Sequence, residues 1–121
     1  MAMKTNEIGE SLIESYEDMY DPAETREDAI KAIRLFVTRR LTSNQFSALI
    51  PLIMHIGIDD FKASKMLKLI NSGRIFEAAD QFNFYIYAEV KSRRKADPFL
   101  VKQREMEKKL FLMPEVVGGT G

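Results

Sequence analysis

Residues 41–57 read LTSNQFSALIPLIMHIG, and this stretch decides the fold of the chain. Thr42 followed three residues later by Gln45 forms a capping box, which satisfies free backbone N–H groups at the start of a helix. The apolar residues that follow leave almost no polar face at helical spacing, and a helix that is apolar all round is buried on all sides. It is too short to cross a bilayer, which takes about 20 apolar residues. The stretch therefore predicts a buried central helix over residues 43–56, stopped by Gly57 in a left-handed conformation.

Composition limits the classes of protein to which this chain can belong. Its 121 residues fit a single domain, predicted over residues 1–115 with a flexible tail over 116–121. The 18 basic and 18 acidic residues balance, which gives no bulk electrostatic argument for nucleic acid or an acidic membrane. Without cysteine and with one histidine, thiolate or His-based metal sites have no ligands, so we expect no metal and no cofactor. No signal peptide or membrane-spanning run appears, which predicts a soluble protein made in the cytosol, with no membrane insertion.

Apolar residues at helical spacing predict five more helices around the central one. They cover about residues 6–20, 25–37, 59–70, 75–90 and 99–113. Asp59 or Asp60 is the expected cap of the fourth of the six helices, and the last helix is expected to place Phe99, Gln103, Met106, Leu110 and Met113 along one side. No strand-like alternation appears. The predicted fold class is all-α, a compact bundle of about six helices around the buried helix 43–56.

Five motifs in a fixed order carry a family resemblance. They are LTSNQFSAL (41–49), IG with Phe61 (from 56), LKLINSG (67–73), AADQF (78–82), and VKQRE through LFL (101–112). Closely similar strings at nearly the same spacings occur in the phage-type lysozymes, glycoside hydrolase family 24. Over about residues 41–113 the chain resembles the helical lobe of these muramidases, and peptidoglycan is the target that this resemblance implies.

Residues 8–17, IGESLIESYE, resemble the first helix of the same family, which ends in the catalytic acid, at Glu17 here. In such an enzyme this acid protonates the glycosidic oxygen, while a second carboxylate and a threonine act on the water at the other face of the sugar. The resemblance thus implies Glu17 as the candidate general acid. The family's aspartate would fall nine residues later, where this chain has Arg26, so Asp21 becomes the candidate second carboxylate only if residues between it and Glu17 are deleted.

The chain departs from the family after Glu17. The segment that follows runs almost directly into the next helix, so roughly 30 to 40 family residues are absent, including the threonine and every signal of the Gly-rich β-hairpin lobe. That lobe forms the far wall of the saccharide cleft. His55 also replaces an Asn of the family's N-x-G motif. The sequence indicates a lysozyme-like lobe with much of its cleft removed.

Each candidate residue also has a structural interpretation. Glu17 fits an ion pair with an interior arginine such as Arg104, because an unpaired buried carboxylate is costly. Asp21 fits a turn residue before Pro22. His55, on an otherwise apolar helix, fits a hydrogen-bonded residue in or near the core better than a titrating group.

Two further features bear on partners. The basic run 91–95, KSRRK, fits a solvated turn better than a phosphate-binding loop. The aromatic residues Phe82, Phe84, Tyr85 and Tyr87 are too closely spaced for all to face inward, which predicts that one or two are exposed. With the β-lobe missing, the apolar floor of the saccharide cleft is left uncovered. We expect self-association or a protein partner to cover it.

Three functional hypotheses follow. The favoured one is a catalytically degenerate phage or prophage lysozyme-like protein, used as a virion component, a lysis regulator or a cell-wall binder. The alternative is a minimal muramidase, with Glu17 as general acid and Asp21 as second carboxylate, that completes its cleft by dimerising. Nucleic-acid binding through residues 91–95 is the least favoured. The expected location is the host cytoplasm, with the virion as a second destination.

Overall fold

A computed structural model describes residues 4–90 and 93–114 of the chain. Within these residues, seven α-helices, one 3-10 turn and one β-hairpin follow one another. They are α1 (Glu7–Met19), α2 (Arg26–Phe36), α3 (Ser43–Ile56), α4 (Ile58–Lys62), α5 (Lys65–Asn71), α6 (Ile75–Asp80), the 3-10 turn (Gln81–Phe84), β1 (Tyr87–Val90), β2 (Arg93–Ala96) and α7 (Pro98–Leu112). The prediction of a mainly helical fold is confirmed.

Helix α3 is the centre of the molecule. The capping box is formed, since Thr42 Oγ1 accepts from the Gln45 N–H at 3.0 Å and Gln45 Oε1 accepts from the Thr42 N–H at 3.0 Å. Ten of its 14 residues are buried, and α1, α2 and α7 pack around it. It ends at Gly57, whose φ of 92° is positive as predicted, although its ψ of 160° is extended and not helical. The predicted central helix is confirmed with the same bounds.

Helix α1 lies unusually close to α3. Its start is capped by Asn6, whose Oδ1 accepts from the Gly9 N–H at 2.9 Å, and its buried face carries Leu12, Ile13 and Tyr16. A Cβ atom placed on Gly9 would lie 2.3 Å from Ser47 Cβ, which is inside any permitted contact. The glycine therefore lets the two helix backbones approach each other.

The segment after Gly57 forms two short helices where the sequence predicted one. Neither Asp59 nor Asp60 is the cap, because α4 begins at Ile58, whose N–H donates to Glu24 Oε2 at 3.2 Å. The helix is interrupted after α4, and Ser64 caps α5 by accepting from the Leu67 N–H at 3.0 Å. The end of α5 follows the prediction, with φ of 78° at Gly73 and the backbone bonds of a Schellman motif.

The predicted helix 75–90 and the predicted absence of strands are wrong. Helix α6 ends at Asp80, the 3-10 turn follows, and β1 and β2 pair antiparallel from Tyr87↔Ala96 to Val90↔Arg93. The Asp97 N–H then donates to the Ile86 carbonyl at 2.9 Å, which continues the pairing to the start of α7. Aromatic and β-branched residues crowd positions 84–90, and these side chains fit an extended chain better than a helix.

The buried hydrophobic residues form one core cluster drawn from all seven helices and the 3-10 turn. Helix α7 packs against α3, but its inner face differs from the prediction because Met106 is 41% exposed. Its buried residues are Leu100, Gln103, Arg104, Glu107, Leu110 and Phe111. No described helix is both long and apolar enough to cross a membrane. The predicted tail over 116–121 lies outside the described residues.

Candidate functional site

The structure places the candidate acid Glu17 in the last turn of α1, with 39% of its side chain exposed. Its Oε1 accepts a hydrogen bond from Arg26 Nη2 at 3.1 Å. Asp21 lies exposed in the loop between α1 and α2. In the part of the chain that the structure describes, Asp21 forms no ion pair and no side-chain hydrogen bond, either with Glu17 or with any other residue.

Arg26, the first residue of α2, joins two carboxylates of α1. Its Nη1 donates to Glu10 Oε1 at 2.7 Å while its Nη2 binds Glu17. Burial alone would lower the pKa of Arg26, but the bonds to Glu10 and Glu17 raise it above its ordinary value. The pKa of Glu10 is lowered, chiefly by a hydrogen bond from the Thr5 hydroxyl; burial opposes this shift, and the hydrogen bond and charge of Arg26 add to it. The result is a network of three charged side chains at the surface.

This network bears directly on catalysis. Arg26 stands nine residues after Glu17, at the position where the resemblance expects the second carboxylate. A general acid must begin the reaction holding a proton, and the base that activates water must be an anion. At this position the chain instead offers a cation, which engages the carboxylate of Glu17 in an ion pair. The predicted ion pair of Glu17 is therefore present, but its partner is Arg26.

Arg104, the predicted partner of Glu17, lies in the core. It pairs there with Glu107, one turn further along α7. Both side chains are fully buried. Arg104 Nη2 donates to Glu107 Oε2 at 2.9 Å. Arg104 Nε and Glu107 Oε1 are also 2.9 Å apart, although their angle leaves both atoms without a well-aligned hydrogen bond. Burial raises the pKa of Glu107 to about 7, against the opposing effect of Arg104.

His55 adds a third polar side chain to this buried pair. Its Nδ1 lies 3.2 Å from Arg104 Nη1, and a guanidinium can only donate, so the imidazole proton belongs on Nε2. Burial, followed by the charge of Arg104, lowers the pKa of His55 to about 4. His55 is therefore neutral at pH 7, a hydrogen-bonded residue at the edge of the core, as the structural interpretation expected.

Tyr20, the residue that follows α1, lies across this group. Its ring stacks on buried Tyr16 with centroids 5.6 Å apart and lies 6.2 Å from the ring of His55 and 5.7 Å from that of Phe99. Its hydroxyl donates to Asp97, the residue that caps α7. Burial raises the pKa of Tyr16 to about 12. The ring of Tyr20 thus covers part of the aromatic group formed by Tyr16, His55 and Phe99.

The aromatic residues near the hairpin divide as predicted between inside and outside. Phe82 is fully buried and packs edge-on against Phe111, with ring centroids 5.4 Å apart. Phe84 and Tyr87 are 62% and 42% exposed. For the basic run 91–95, residues 91 and 92 lie outside the described residues, so a phosphate-binding role is untested. Among the described side chains, no group of three or more His, Asp or Glu residues is arranged to hold a metal ion.

Some participants in this site gave no signal in the sequence. Tyr20 and Asp97 are 77 residues apart, and only the folded chain joins them. Asp97 before Pro98 was a recognisable local signal, because Asp is a favoured cap and Pro a favoured first helical residue. Arg26 stands out in the sequence only through the resemblance, which implies an aspartate in its place.

Comparison with known proteins agrees with the fold and the motifs. The sequence profile described as phage lysozyme matches residues 5–107. An endolysin of Acyrthosiphon pisum secondary endosymbiont phage 1 is 36% identical over 89 residues, which cover 71% of this chain and 61% of that protein. An endolysin of Bacillus phage B103 is 36% identical over 62% of this chain but only 27% of its own length. The chain therefore spans less than two thirds of these two relatives.

A solved structure matches over its full length. The muramidase domain of SpmX from Asticaccaulis excentricus has a TM-score of 0.79 and 26% identity, with 93% of this chain and 100% of that chain covered. An endolysin from Escherichia coli O157:H7 phage FAHEc1 also has a TM-score of 0.79, at 19% identity, over 93% of this chain and 95% of its own; it supports the fold alone. With the profile match over most of its length, the chain belongs to the phage lysozyme family.

Proposed function

We propose that this chain is a catalytically degenerate member of the phage lysozyme family that serves as a binding or structural module. The target that the family suggests is peptidoglycan. The observation that carries the proposal is the hydrogen bond at 3.1 Å between Arg26 and Glu17, made by the residue at the position of the expected second carboxylate.

The chemistry of glycoside cleavage explains why this bond matters. Such enzymes use two carboxyl groups, one as acid and one as base or nucleophile, on either side of the scissile bond. Here one carboxyl group is paired with a cation, and that cation, Arg26, stands where the resemblance expects the second carboxylate. Glu17 also lies on an exposed helix surface, whereas the general acid of such an enzyme depends on a poorly solvated pocket.

Two features support retention of the fold for binding. Tyr20 packs on Tyr16 and His55 and donates a hydrogen bond to Asp97, so the chain itself covers part of this aromatic surface. At the same time the core and the capping box of α3 are complete. A chain that keeps its packing while an ion pair occupies its acid is suited to recognition more than to cleavage.

The competing function is the minimal muramidase, and one observation favours it. The carboxylate of Glu17 is partly exposed and its ion pair lies at the surface, where such pairs are weak. A bound glycan strand has access to displace Arg26. In this mechanism Asp21, in the adjacent loop, supplies the second carboxylate.

Turbidity of outer-membrane-permeabilised Gram-negative cells separates the two functions. We expect no lysis by the wild type, by Glu17→Gln or by Arg26→Gln, with an active endolysin as positive control. Lysis by the wild type that Glu17→Gln abolishes would establish the muramidase and overturn the proposal. Arg26→Gln tests the ion pair itself, because lysis by this variant alone would show that Arg26 suppresses a surviving activity.

Co-sedimentation with purified peptidoglycan tests the binding half. We expect the wild type and Glu17→Gln to bind alike, because the carboxylate has no chemical task. If neither protein co-sediments and neither lyses cells, peptidoglycan is not the target, and the module would bind a protein instead.

A further inference from the structure

The charges of this chain are segregated along its sequence, although the total is zero. Residues 1–30 contain nine acidic and two basic residues, and residues 31–121 contain nine acidic and 16 basic residues. The two parts therefore carry net charges of −7 and +7. Charge asymmetry between parts of a chain is a recognised indication of interaction surfaces.

The fold gathers the negative charge on one side of α1. Glu7, Glu14 and Asp18 are exposed, and their spacing of seven and four residues places them in one stripe along the helix, about 16 Å long. Ile8 and Met19 lie beside the stripe and are 50% and 57% exposed. We call these five residues the acidic face.

The positive charge gathers where the ends of α2 and α5 meet. The Asn71 side chain joins these ends, since its Nδ2 donates to the Phe36 carbonyl at 3.0 Å and its Oδ1 accepts from the Thr38 N–H at 2.8 Å. Lys62 Nζ lies 5.4 Å from the centroid of the Phe36 ring, and the Arg39 guanidinium lies against Gly73. The basic face consists of Arg34, Leu35, Arg39, Lys62, Lys65 and Lys68, all of them exposed.

The two faces are separate surfaces with unused charges. Arg26, at the start of α2, touches the acidic side, whereas Arg34 lies eight residues further along the helix, about 12 Å away. Within residues 4–90 and 93–114, no charged group of either face has an ion-pair partner. Each face also carries an exposed apolar side chain, Met19 on one and Leu35, which is 74% exposed, on the other.

We propose that the acidic face of one copy docks on the basic face of a second copy, head to tail. The occupant that fits the basic face is an acidic surface with an apolar residue within it, and the chain itself presents one. A net charge of zero removes the repulsion between copies that usually keeps proteins apart. A standard interface of about 800 Å² per partner is roughly a tenth of the 7495 Å² surface of the monomer, so one molecule has room for both contacts.

A contact between two different faces leaves one face free at each end. It therefore adds further copies and gives a ring or an open filament, not a two-fold dimer. The inference is independent of whether the chain cleaves glycan, because neither Glu17 nor Asp21 belongs to the acidic face as defined. A polyanion such as nucleic acid is the competing occupant of the basic face, but the acidic face of the same molecule would oppose its approach.

Sedimentation velocity with charge-reversed variants tests the proposal. We expect the wild type to grow beyond its 13.9 kDa monomer with concentration at about 20 mM salt and to dissociate at about 500 mM, because salt screens contacts between exposed charges. Glu14→Lys/Asp18→Lys makes both faces basic, and Lys65→Glu/Lys68→Glu makes both acidic. Each variant alone should stay monomeric, whereas an equimolar mixture should associate.

A matched control separates the face from the net charge. Lys102→Glu/Lys109→Glu changes the net charge as much as Lys65→Glu/Lys68→Glu but alters exposed lysines of α7, and it should associate like the wild type. Circular dichroism verifies that every variant is folded. A wild type that stays monomeric at low salt would overturn the proposal, as would a mixture that fails to associate. Binding of single-stranded DNA by a monomeric wild type, lost in Lys65→Glu/Lys68→Glu, would identify a polyanion as the occupant instead.

Discussion

Removal of either partner of the buried Arg104–Glu107 pair should destabilise the protein, and by unequal amounts. Both side chains are 0% exposed, and the guanidinium has Glu107 and His55 as its partners. A guanidinium keeps its charge in any protein environment. Glu107, whose pKa burial already raises to about 7, can instead take up a proton when Arg104 is lost. The informative variants are therefore Glu107→Leu, Arg104→Met and the two combined.

The expected magnitudes follow from what each variant leaves behind. Among the described residues, Glu107→Leu leaves the buried cation with the His55 ring nitrogen as its remaining acceptor, and breaking a buried pair in this way costs about 3–5 kcal/mol. Arg104→Met leaves a carboxyl group that is neutral once protonated, so its cost reduces to lost hydrogen bonds, about 1–3 kcal/mol. The double variant leaves no charge, and apolar replacement of a whole pair is often near neutral. It should be more stable than Glu107→Leu alone.

Urea unfolding followed by circular dichroism at pH 7 and 25 °C measures these free energies. Glu105→Leu, which removes an exposed acid two residues earlier on α7, is the control and should change stability by less than about 0.5 kcal/mol. If Glu107→Leu unfolds at 25 °C, the comparison holds with all variants measured at a lower temperature. The reasoning is refuted if Arg104→Met is as destabilising as Glu107→Leu, or if the double variant loses the sum of the two single losses.

Three further predictions concern packing, capping and pH. Gly9→Ala should cost about 1–3 kcal/mol by overpacking, because the new methyl would lie 2.3 Å from Ser47 Cβ, and Ser47→Gly in the same chain should recover part of that loss in urea unfolding. Thr42→Ala removes the side-chain acceptor of the capping box with Gln45 and should cost about 1 kcal/mol; an unchanged urea midpoint would show that the cap contributes nothing. The pKa of His55 is lowered to about 4 in the folded protein from 6.5, so the unfolded chain binds its proton first and this contribution to stability is lost as pH falls from 6.5 towards 4. Between pH 7 and pH 5 the wild type should therefore lose about 1 kcal/mol more than His55→Asn, after allowance for partial exposure of the ring; equal losses in the two proteins would contradict the proposed burial of the neutral ring.

The relation between Arg26 and Glu17 suggests how a lysozyme lobe becomes a binding module. A single cation at the position of the expected second carboxylate both deprives the site of an anion and engages the acid. The ion pair in the core is separate from this one, because Arg104 pairs with Glu107 within α7. Under the proposed function, loss of catalysis and retention of the fold would be separate events, governed by different residues.

Elements with local signals could be predicted from the amino-acid sequence. The capping box at Thr42 and Gln45 acts over three residues, and it is formed in the structure. The central helix 43–56 followed from its unbroken apolar run, since such a helix has nowhere to lie except the core. Motif order then sufficed to identify the family.

Contacts between charges and between rings could not be predicted, because they depend on the packing of the helices. The hydrophobic pattern predicted Met106 on the buried face of α7, but Arg104 and Glu107 are buried on that helix instead. A salt-bridged pair tolerates burial, and a hydrophobic pattern contains no information about pairing. Arg26 and Glu17 are nine residues apart in sequence, and Tyr20 and Asp97 are 77 apart. Such contacts depend on how helices pack, a global property that no local signal along the chain encodes.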